Sequence, residues 1–299
     1  MRIAFCWTNG VKDTYRFNWW NDGLREAMRI LEKEHMVTYH EPDEDLPEVD
    51  WIFFWEAPCT HDSEYGNAYK KVMNSPQKKA LLFAGGPIKE HWVKGFDHVF
   101  VESKINKDEF DAIGIRNSTA FGVNTEIFKP LDVVKTFGTE THGTCANWKR
   151  QWLAGEALGA DALVFGRDQE HDRYPFIKAR EFGAHVIDTE QTFEETNALI
   201  NTAYIGLNCA DFWGGGQRAS LEAMACGLPI IVMNDSPKNS EYVEDSGLGD
   251  IVSPDAPSIY RAVSKLLGST VDFKKECREY VLSKWSPQHY ADALMNGIS

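Results

Sequence analysis

Residues 214–232 read GGGQRASLEAMACGLPIIV, and this stretch is the strongest indication of fold and function in the sequence. Its pattern predicts a glycine-rich loop, a helix over 219–226, a stop at Gly227 and a buried strand over 229–233. A loop that opens a helix gathers free backbone N–H groups at the positive end of the helix dipole, which favours an anion. Glu222 lies in the helix, within reach of hydroxyl groups on the molecule that carries the anion. The stretch therefore predicts a pocket for a nucleotide or a nucleotide sugar.

The composition is that of a globular protein with about two domains. The chain has 299 residues, of which 43% are hydrophobic and 25% are charged, and a domain takes about 100–200 residues. No window approaches the roughly 18 uninterrupted apolar residues of a membrane span. The first ten residues, MRIAFCWTNG, contain an apolar run that is too short for a signal peptide and fits a first β-strand.

The net charge and the cysteines indicate which kinds of partner and which cellular compartment to expect. The net charge of −14 argues against a nucleic-acid partner, because a protein that grips a phosphate backbone needs a basic stripe. The six cysteines are scattered without paired spacing, which argues against a disulfide framework and a zinc site. We therefore expect a cytoplasmic protein with reduced, mostly buried thiols.

Short β-rich runs alternate with amphipathic helical patterns along the whole chain, as in parallel βαβ units. A glycine turn and a proline in the segment FGVNTEIFKP, residues 121–130, predict a domain boundary just after Pro130. Thr192 with Glu195 predicts a capping box at the start of a helix. The sequence thus predicts an α/β protein made of two Rossmann-like domains that face a cleft. The predicted strands are 2–7, 36–40, 50–55, 80–84, 98–101, 117–121, 133–137, 162–165, 184–187, 204–208 and 229–233; the predicted helices are 18–34, 65–73, 147–158, 193–202, 219–226, 258–267, 273–283 and 287–295.

Five segments resemble, in the right order, characteristic segments of the glycosyltransferases of GT-B fold, specifically the large family 4. SLEAMACGLP at 220–229 is nearly identical to that family's LEAMACGxPV signature, and residues 121–130 are similar to its hGVDxxxFxP junction. Residues 192–207, 239–249 and 284–287 resemble three further segments. The similarity covers most of residues 118–299, whereas the first half of the chain matches only in its rhythm of strands and helices.

The resemblance implies both an architecture and an activity. It implies an acceptor-side domain over 1–130, a nucleotide-sugar-binding domain over 131–283, and a C-terminal helix over 284–299 that returns to the first domain. It implies transfer of a sugar from a nucleoside-diphosphate sugar, with a UDP-sugar favoured, with retention of configuration and without a metal or another cofactor. The acceptor stays open among glycans, small molecules, proteins and lipid-linked molecules.

The sequence also departs from the family pattern. The family has two Glu residues across the glycine loop; Glu222 fits the second position, but Gly214 stands at the first. A Gly-Arg pair is expected after the first strand of the second domain, where we align Gly138 and Thr139. Lys149 and Arg150 follow a longer loop, and we predict that they replace the family's basic pair at the diphosphate and stabilise the leaving group.

The candidate site residues follow from the loop and from the resemblance. The three glycines of the loop allow close approach of the backbone to a phosphate, and Glu222 would accept hydrogen bonds from ribose hydroxyls. His61 and Glu56 are alternative candidates for contact with the acceptor hydroxyl, because both follow a predicted strand end. For His61 and Glu241 the plainer interpretation is a solvated surface side chain. The predicted donor-binding residues are Gly10, Gly214, Gly215, Gly216, Gln217, Arg218, Ser220, Glu222 and Glu241.

Other functions stay open beside the transferase. A nucleotide-sugar epimerase can share this two-domain shape, but it needs more acid and base residues than the first half offers. A non-catalytic nucleotide-sugar-binding protein is favoured by the missing carboxylate at Gly214. An NAD-dependent oxidoreductase would carry Gly-x-Gly-x-x-Gly after the first strand, and the sequence CWTNG at residues 6–10 lacks it. The net negative charge of the chain argues against a modified-base DNA glucosyltransferase.

Overall fold

The computed structural model describes residues 1–6, 22–40, 44–55, 64–83, 88, 90–167, 173–212 and 217–299. The described chain divides into two compact units. The first unit comprises Met1–Gly122 together with Pro287–Ser299, and the second comprises Val123–Ser286. Each unit is built on one six-stranded sheet, and every strand pairing in both sheets is parallel.

The first unit has the strand order β2-β1-β3-β4-β5-β6. The order reverses between β1 and β3, whose registers pair Ile3 with Trp51 and Cys6 with Phe54. Its elements are β1 (Arg2–Cys6), α1 (Asp22–Leu31), β2 (Met36–His40), β3 (Trp51–Trp55), α2 (Glu64–Met73), β4 (Lys78–Phe83), α3 (Glu90–Val93), β5 (His98–Val101), α4 (Lys104–Ala112), β6 (Asn117–Thr119) and the C-terminal α12 (Pro287–Ile298).

Alternation along the strands sends side chains to two helical layers. Ile3 and Phe5 pack with helices α1 and α12 on one face of the sheet. Ala4 and Cys6 pack into the other cluster, which includes Phe110 of α4. Because both faces are covered, the strands are nearly continuous apolar runs, as expected for a parallel sheet.

The C-terminal helix α12 returns to the first unit, as predicted. Tyr290, Leu294 and Ile298 are buried in the same cluster as α1. The Arg116 guanidinium donates to the carbonyl of Gly297 at 3.0 Å, which holds the last turn of the helix. A Cβ atom at Gly297 would lie 2.5 Å from the Phe100 ring, so only glycine allows α12 to approach β5 this closely.

The second unit has the strand order β12-β11-β10-β7-β8-β9. Numbered within the unit, this is the order 6-5-4-1-2-3, the arrangement of the Rossmann fold. Its elements are β7 (Phe137–His142), α5 (Trp152–Leu158), β8 (Ala162–Phe165), α6 (Tyr174–Glu181), β9 (His185–Ile187), α7 (Phe193–Ile200), β10 (Ala203–Asn208), α8 (Gln217–Ala225), β11 (Ile230–Met233), α9 (Pro237–Ser246), β12 (Gly249–Val252), α10 (Ala256–Leu267) and α11 (Phe273–Lys284).

Side-chain caps begin several of these helices. The predicted capping box of α7 is confirmed: Thr192 Oγ1 accepts from the Glu195 backbone N–H at 3.2 Å, and Glu195 accepts from the Thr192 backbone N–H at 2.7 Å. Asp255 caps α10 through the backbone N–H of Ser258. Each cap satisfies a backbone N–H that the helix itself leaves without a partner.

The division between the units falls near the start of the junction segment, between Gly122 and Val123, whereas the sequence predicts it after Pro130. The segment is tied to the second unit by its backbone. Arg278 of α11 donates to the carbonyls of Thr125 and Phe128 at 2.7 and 2.6 Å. At the other end, the first unit resumes at Pro287 and not at 284.

The predicted strand over 133–137 is wrong. Val133 and Val134 are exposed, and the strand in this region is β7, Phe137–His142. The β-branched residues of 133–137 favoured a strand there, whereas the polar residues of FGTETH, 137–142, are not typical of a buried strand. Gly138 and Thr139 therefore lie inside β7, and the pair that follows this strand is Gly143-Thr144.

Other differences concern helices that the sequence pattern did not show. Helices α3, α4, α6 and α9 and strand β12 were not predicted. The predicted helix over 147–158 is a 3-10 turn, Asn147–Lys149, followed by α5. Arg150 separates the two with a left-handed backbone conformation, φ 47°, which interrupts the helix.

Candidate functional site

The strand order of the second sheet reverses between β7 and β10. Open parallel sheets bind ligands outside the carboxyl ends of the strands at such a reversal. Here β7 ends at His142 and β10 ends at Asn208, and the two strands are paired in parallel. Helix α8, which holds Glu222, follows β10 in the chain. This edge is therefore the candidate site.

His142 lies between two carboxylates at this edge. Its Nδ1 is 2.7 Å from Glu140 Oε2, and its Nε2 is 2.7 Å from Glu222 Oε2. The three side chains are almost fully buried. Because an ionised carboxylate can only accept, both ring nitrogens donate and the ring is an imidazolium. Burial alone lowers the pKa of His142, but Glu140 and Glu222 outweigh it and raise the pKa to about 9.

The local sequence explains how Glu140 and His142 of β7 come to contact each other. Glu140 and His142 are two residues apart, so they lie on one face of the strand. Gly206 pairs with Glu140 across the sheet. A Cβ atom at Gly206 would lie 3.2 Å from Glu140 Oε1 and 2.6 Å from Cβ of Ala223 in α8. Glycine at this position leaves room for both the carboxylate and the helix.

Arg218 holds the other oxygen of Glu222. Its Nε lies 3.2 Å from Glu222 Oε1, one helical turn away on α8. Glu222 is thus an ion-paired carboxylate that is 4% exposed. An ionised carboxylate offers about four lone-pair sites, and the described contacts with His142 and Arg218 use two of them. The predicted ribose contact is compatible with this geometry and stays a prediction.

Lys149 is brought back to the end of β7. An ideal Cβ atom at Gly143 would lie 2.7 Å from Lys149 Nζ, and Gly143 has φ +119°, which disfavours other residues. The ammonium group also lies 5.0 Å from the centroid of the Trp148 ring. Lys149 lines a cavity of about 20 Å³ together with Glu140, His142, Asn208 and Ser220. The structure therefore places this predicted residue at the candidate site.

Arg150 has a different environment. Its guanidinium forms two 2.7 Å hydrogen bonds to Asp235 and donates to the carbonyls of Cys209 and Ala210. The hydrogen bonds from Arg150 lower the pKa of Asp235. With these four hydrogen bonds, Arg150 links the loop after β10 to the loop after β11. Its predicted contact with a diphosphate stays untested.

Ser220 belongs to a buried polar network behind α8. Its hydroxyl donates to Asn239 Oδ1 at 3.0 Å and accepts from Asn208 Nδ2 at 2.9 Å. Asn239 in turn donates to Ser236 Oγ at 2.9 Å. The network fixes α8 against β10 and the start of α9, so Ser220 holds the helix that carries Glu222.

Of the remaining predicted residues, two lie in described helices and six lie outside the described residues. Glu241 was expected in a loop, but it lies within helix α9. Gln217 is the first residue of α8. The six candidates outside the described residues have roles that stay predictions: Gly10, Glu56, His61, Gly214, Gly215 and Gly216.

Sequence reasoning missed Glu140, His142 and Asn208. The signal was present as Glu-x-His in FGTETH, where alternation puts both side chains on one face. It was overlooked because the predicted strand, 133–137, begins four residues before the observed one. Asn208 ends a strand that was predicted correctly, but a lone Asn after a strand carries no specific signal.

A larger cavity lies elsewhere in the second unit. It measures about 320 Å³ and is lined by residues that include Lys135, Tyr204 and Pro229. These residues precede or begin β7, β10 and β11, so the cavity lies at the amino ends of the strands. That is the edge opposite the one where open parallel sheets bind their ligands.

Within the described ranges, no group of three acidic, histidine or cysteine side chains is arranged to hold a metal ion. In the same part of the chain, no helix has the length and apolar character to cross a membrane. Five of the six cysteines are described, and all five are buried free thiols, as the sequence predicted: Cys6, Cys145, Cys209, Cys226 and Cys277. Cys59 lies outside the described residues.

Comparison with known proteins reveals a shared architecture at low sequence identity. Sucrose-phosphate synthase of Thermosynechococcus elongatus superposes with a TM-score of 0.76 at 13% identity, over 99% of this chain and 98% of that one. The chain has the GT-B fold. Anabaena HepE, solved with UDP, gives a TM-score of 0.75 at 11% identity over 100% and 99% of the two chains. AviGT4, a glycosyltransferase of avilamycin A biosynthesis, gives 0.69 at 13% identity over 98% and 96%.

No protein-family model matches the sequence, and no curated protein matches it either. The structural likeness therefore establishes the fold, and the predicted GT-B architecture with its returning C-terminal helix is confirmed. Because one fold hosts many activities, the function has to be argued from the site.

Proposed function

We propose that this chain is a glycosyltransferase that takes a sugar from a nucleoside-diphosphate sugar. The second unit binds the donor, and the first unit presents an unidentified acceptor, which is a glycan, a small molecule, a protein or a lipid-linked molecule. The observation that carries the proposal lies where the second sheet reverses its strand order: Lys149 lines a cavity together with His142, and His142 contacts Glu222 of helix α8. Cation, helix and carboxylate are the groups that a diphosphate and a ribose require.

The proposed roles follow from charge. The Lys149 ammonium neutralises the diphosphate and stabilises it as the leaving group. The Glu222 carboxylate accepts from the ribose hydroxyls. Catalysis then comes from positioning and leaving-group stabilisation. We propose retention of configuration and no resident metal, and the five buried free thiols support a cytoplasmic protein.

UDP is the favoured nucleotide. The Anabaena protein of the same fold was solved with UDP and with UDP-glucose, and its fold match covers the whole of this chain. A panel of UDP-, GDP-, ADP- and TDP-glucose in a thermal-unfolding assay tests the choice. A ligand that binds only the folded state raises the melting temperature. The proposal fails if none of the four shifts it.

Lys149→Ala tests the site itself. We expect UDP affinity to fall at least about tenfold, because a hydrogen bond to a charged group contributes about 1.5–3 kcal/mol. Lys178→Ala is the matched control: Lys178 also lies over an aromatic ring of the second unit, 4.7 Å from the Trp152 centroid, but on α6. Isothermal titration calorimetry should leave the control unchanged. Equal losses in both variants would contradict the assignment.

A non-catalytic nucleotide-sugar-binding protein is the second candidate, favoured by Gly214 in place of the family's carboxylate. Incubation of the purified protein with the UDP-sugar that binds best separates the two. Slow release of free sugar, or transfer to an added acceptor, supports the transferase. Tight binding without either reaction supports the binding protein.

A further inference from the structure

A side chain of the sheet, His142, contacts the Glu222 carboxylate. Arg218 lies on the same helix as Glu222 and moves with it. His142 belongs to β7, and its 2.7 Å contact with Glu222 joins the helix to the sheet. Position along α8 alone leaves the carboxylate free to rotate about its own side-chain bonds. His142 removes this freedom by fixing one oxygen.

His142 is itself held rigidly. Its second ring nitrogen is 2.7 Å from Glu140 Oε2. Its ring stacks on Phe165 of β8, with a centroid distance of 5.3 Å and an interplanar angle of 17°. Glu140 and Phe165 both lie on strands inside the sheet. The imidazolium therefore has a fixed plane and a fixed direction for each N–H bond.

Charged side chains face the His142 ring from β7, from α8 and from the turn before α5. Glu140 lies on β7, Glu222 and Arg218 on α8, and Lys149 on the turn before α5. Cys209, at the end of β10, stays neutral because burial raises the pKa of its thiol to about 12. The two carboxylates contact the ring directly, so they determine its charge.

We infer that His142 is a positioning residue, which orients the Glu222 carboxylate toward the two hydroxyl groups of a nucleotide ribose, with Glu140 as its anchor on β7. The inference rests on the proposed function, because it needs a ribose at Glu222. Two of the four acceptor sites of Glu222 are used by His142 and Arg218, and two vicinal hydroxyls need the other two. Recognition of both hydroxyls then depends on the orientation that His142 imposes.

The experiment compares UDP with 2′-deoxy-UDP by isothermal titration calorimetry at pH 7. We expect the wild-type chain to prefer UDP by about tenfold or more, the effect of one hydrogen bond to a carboxylate. His142→Gln removes the charge and should bring the ratio of the two affinities close to one. His185→Gln is the control, since His185 lies exposed on the edge strand β9 and should keep the wild-type ratio.

A pH series on Glu140→Gln provides the second measurement. A neutral His142 can donate from only one nitrogen, so UDP affinity should fall as the pH rises through the ionisation of the ring. Removing one carboxylate that contacts the ring should move this fall to lower pH by about 1 unit or more. A residue that only supports the fold would not move the pH of this transition.

The outcomes separate the two claims. Absence of UDP binding by the wild-type chain overturns the proposed function, and this inference with it. Binding by the wild type with an unchanged UDP to 2′-deoxy-UDP ratio in His142→Gln overturns the inference alone. If His142→Gln does not fold, judged by its thermal unfolding, the pH series on Glu140→Gln decides: an unmoved transition overturns the inference.

Discussion

Each sheet has a histidine with a buried side chain on one of its interior strands, His98 in the first and His142 in the second, and the two rings differ in charge. His98 of β5 lies 2.8 Å from Ser118 Oγ, and burial and the nearby Arg116 lower its pKa to about 4. His142 of β7 lies between two carboxylates, and its pKa is raised to about 9. At neutral pH the first ring is neutral and the second is an imidazolium. Burial favours the neutral form in both, so the neighbours decide the charge.

The difference in charge distinguishes a histidine of the apolar core, His98, from a histidine of the candidate site, His142. His98 packs on Phe100 and on Gly297 of the returning helix, where the neighbours are mainly apolar. His142 joins a cluster of charged side chains whose burial costs desolvation free energy that apolar packing would avoid. That cluster lies where the second sheet reverses its strand order, which is where ligands of such sheets bind.

The largest effect is expected from His142→Leu. The substitution leaves Glu140 and Glu222 buried without the cation between them, and breaking a buried ion pair in this way costs about 3–5 kcal/mol. Hydrogen exchange of the β7 and β10 amides, followed by mass spectrometry, measures the loss within the second unit. A loss below about 1 kcal/mol would mean that the two carboxylates are solvated or protonated, and the comparison of the histidines would fail.

The response to pH should have opposite signs in the two sheets. His142 has a raised pKa in the folded state, so its stabilisation is complete below about pH 6.5 and is lost as the pH rises through about 9. His98 has a lowered pKa, so its sheet keeps full stability above about pH 6.5 and loses it as the pH falls towards 4. Between pH 7 and 9 we expect the second unit to lose about 2 kcal/mol.

Hydrogen-exchange rates of the β5 and β7 amides, corrected for the intrinsic pH dependence of exchange, measure how the stability of each sheet changes with pH in one sample. Glu140→Gln serves as the matched variant, because it should weaken the alkaline loss in β7 and leave β5 unchanged. Parallel pH profiles in the two sheets would show that the histidines do not control these responses.

The fold was within reach of the sequence because local patterns agreed with it. Apolar runs such as 98–101 and 162–165 are typical of buried strands, and Thr192 with Glu195 marked the start of α7 correctly. The errors arose where polar residues are buried by pairing. Thr139 and Glu140 have almost no exposed surface, although their letters are typical of a loop. A search for apolar periodicity does not mark a strand whose buried charges are neutralised by residues far away in the chain.

The candidate site was predicted less completely than the fold, for a related reason. Glu222 and Lys149 were found through their motif and their charge, and both lie at the carboxyl edge of the second sheet. His142 gains its role from a contact with a residue 80 positions away. Arg150 and Lys149 are neighbours in sequence with equal charge, but only the structure shows that Asp235 binds Arg150. Partners of this kind depend on the tertiary fold.

The smallest effect is expected from His98→Leu, the same substitution that should be severe at position 142. The variant loses one neutral hydrogen bond, to Ser118 Oγ, worth about 1 kcal/mol. It also removes Nδ1, for which no hydrogen-bond partner exists among the described residues, and an unsatisfied buried nitrogen is itself unfavourable. We therefore expect the first unit to change by less than about 1 kcal/mol in the hydrogen-exchange assay. The acid loss in β5 should disappear, because no ring is left to titrate. A cost equal to that of His142→Leu would show that packing, and not charge, sets the importance of both positions.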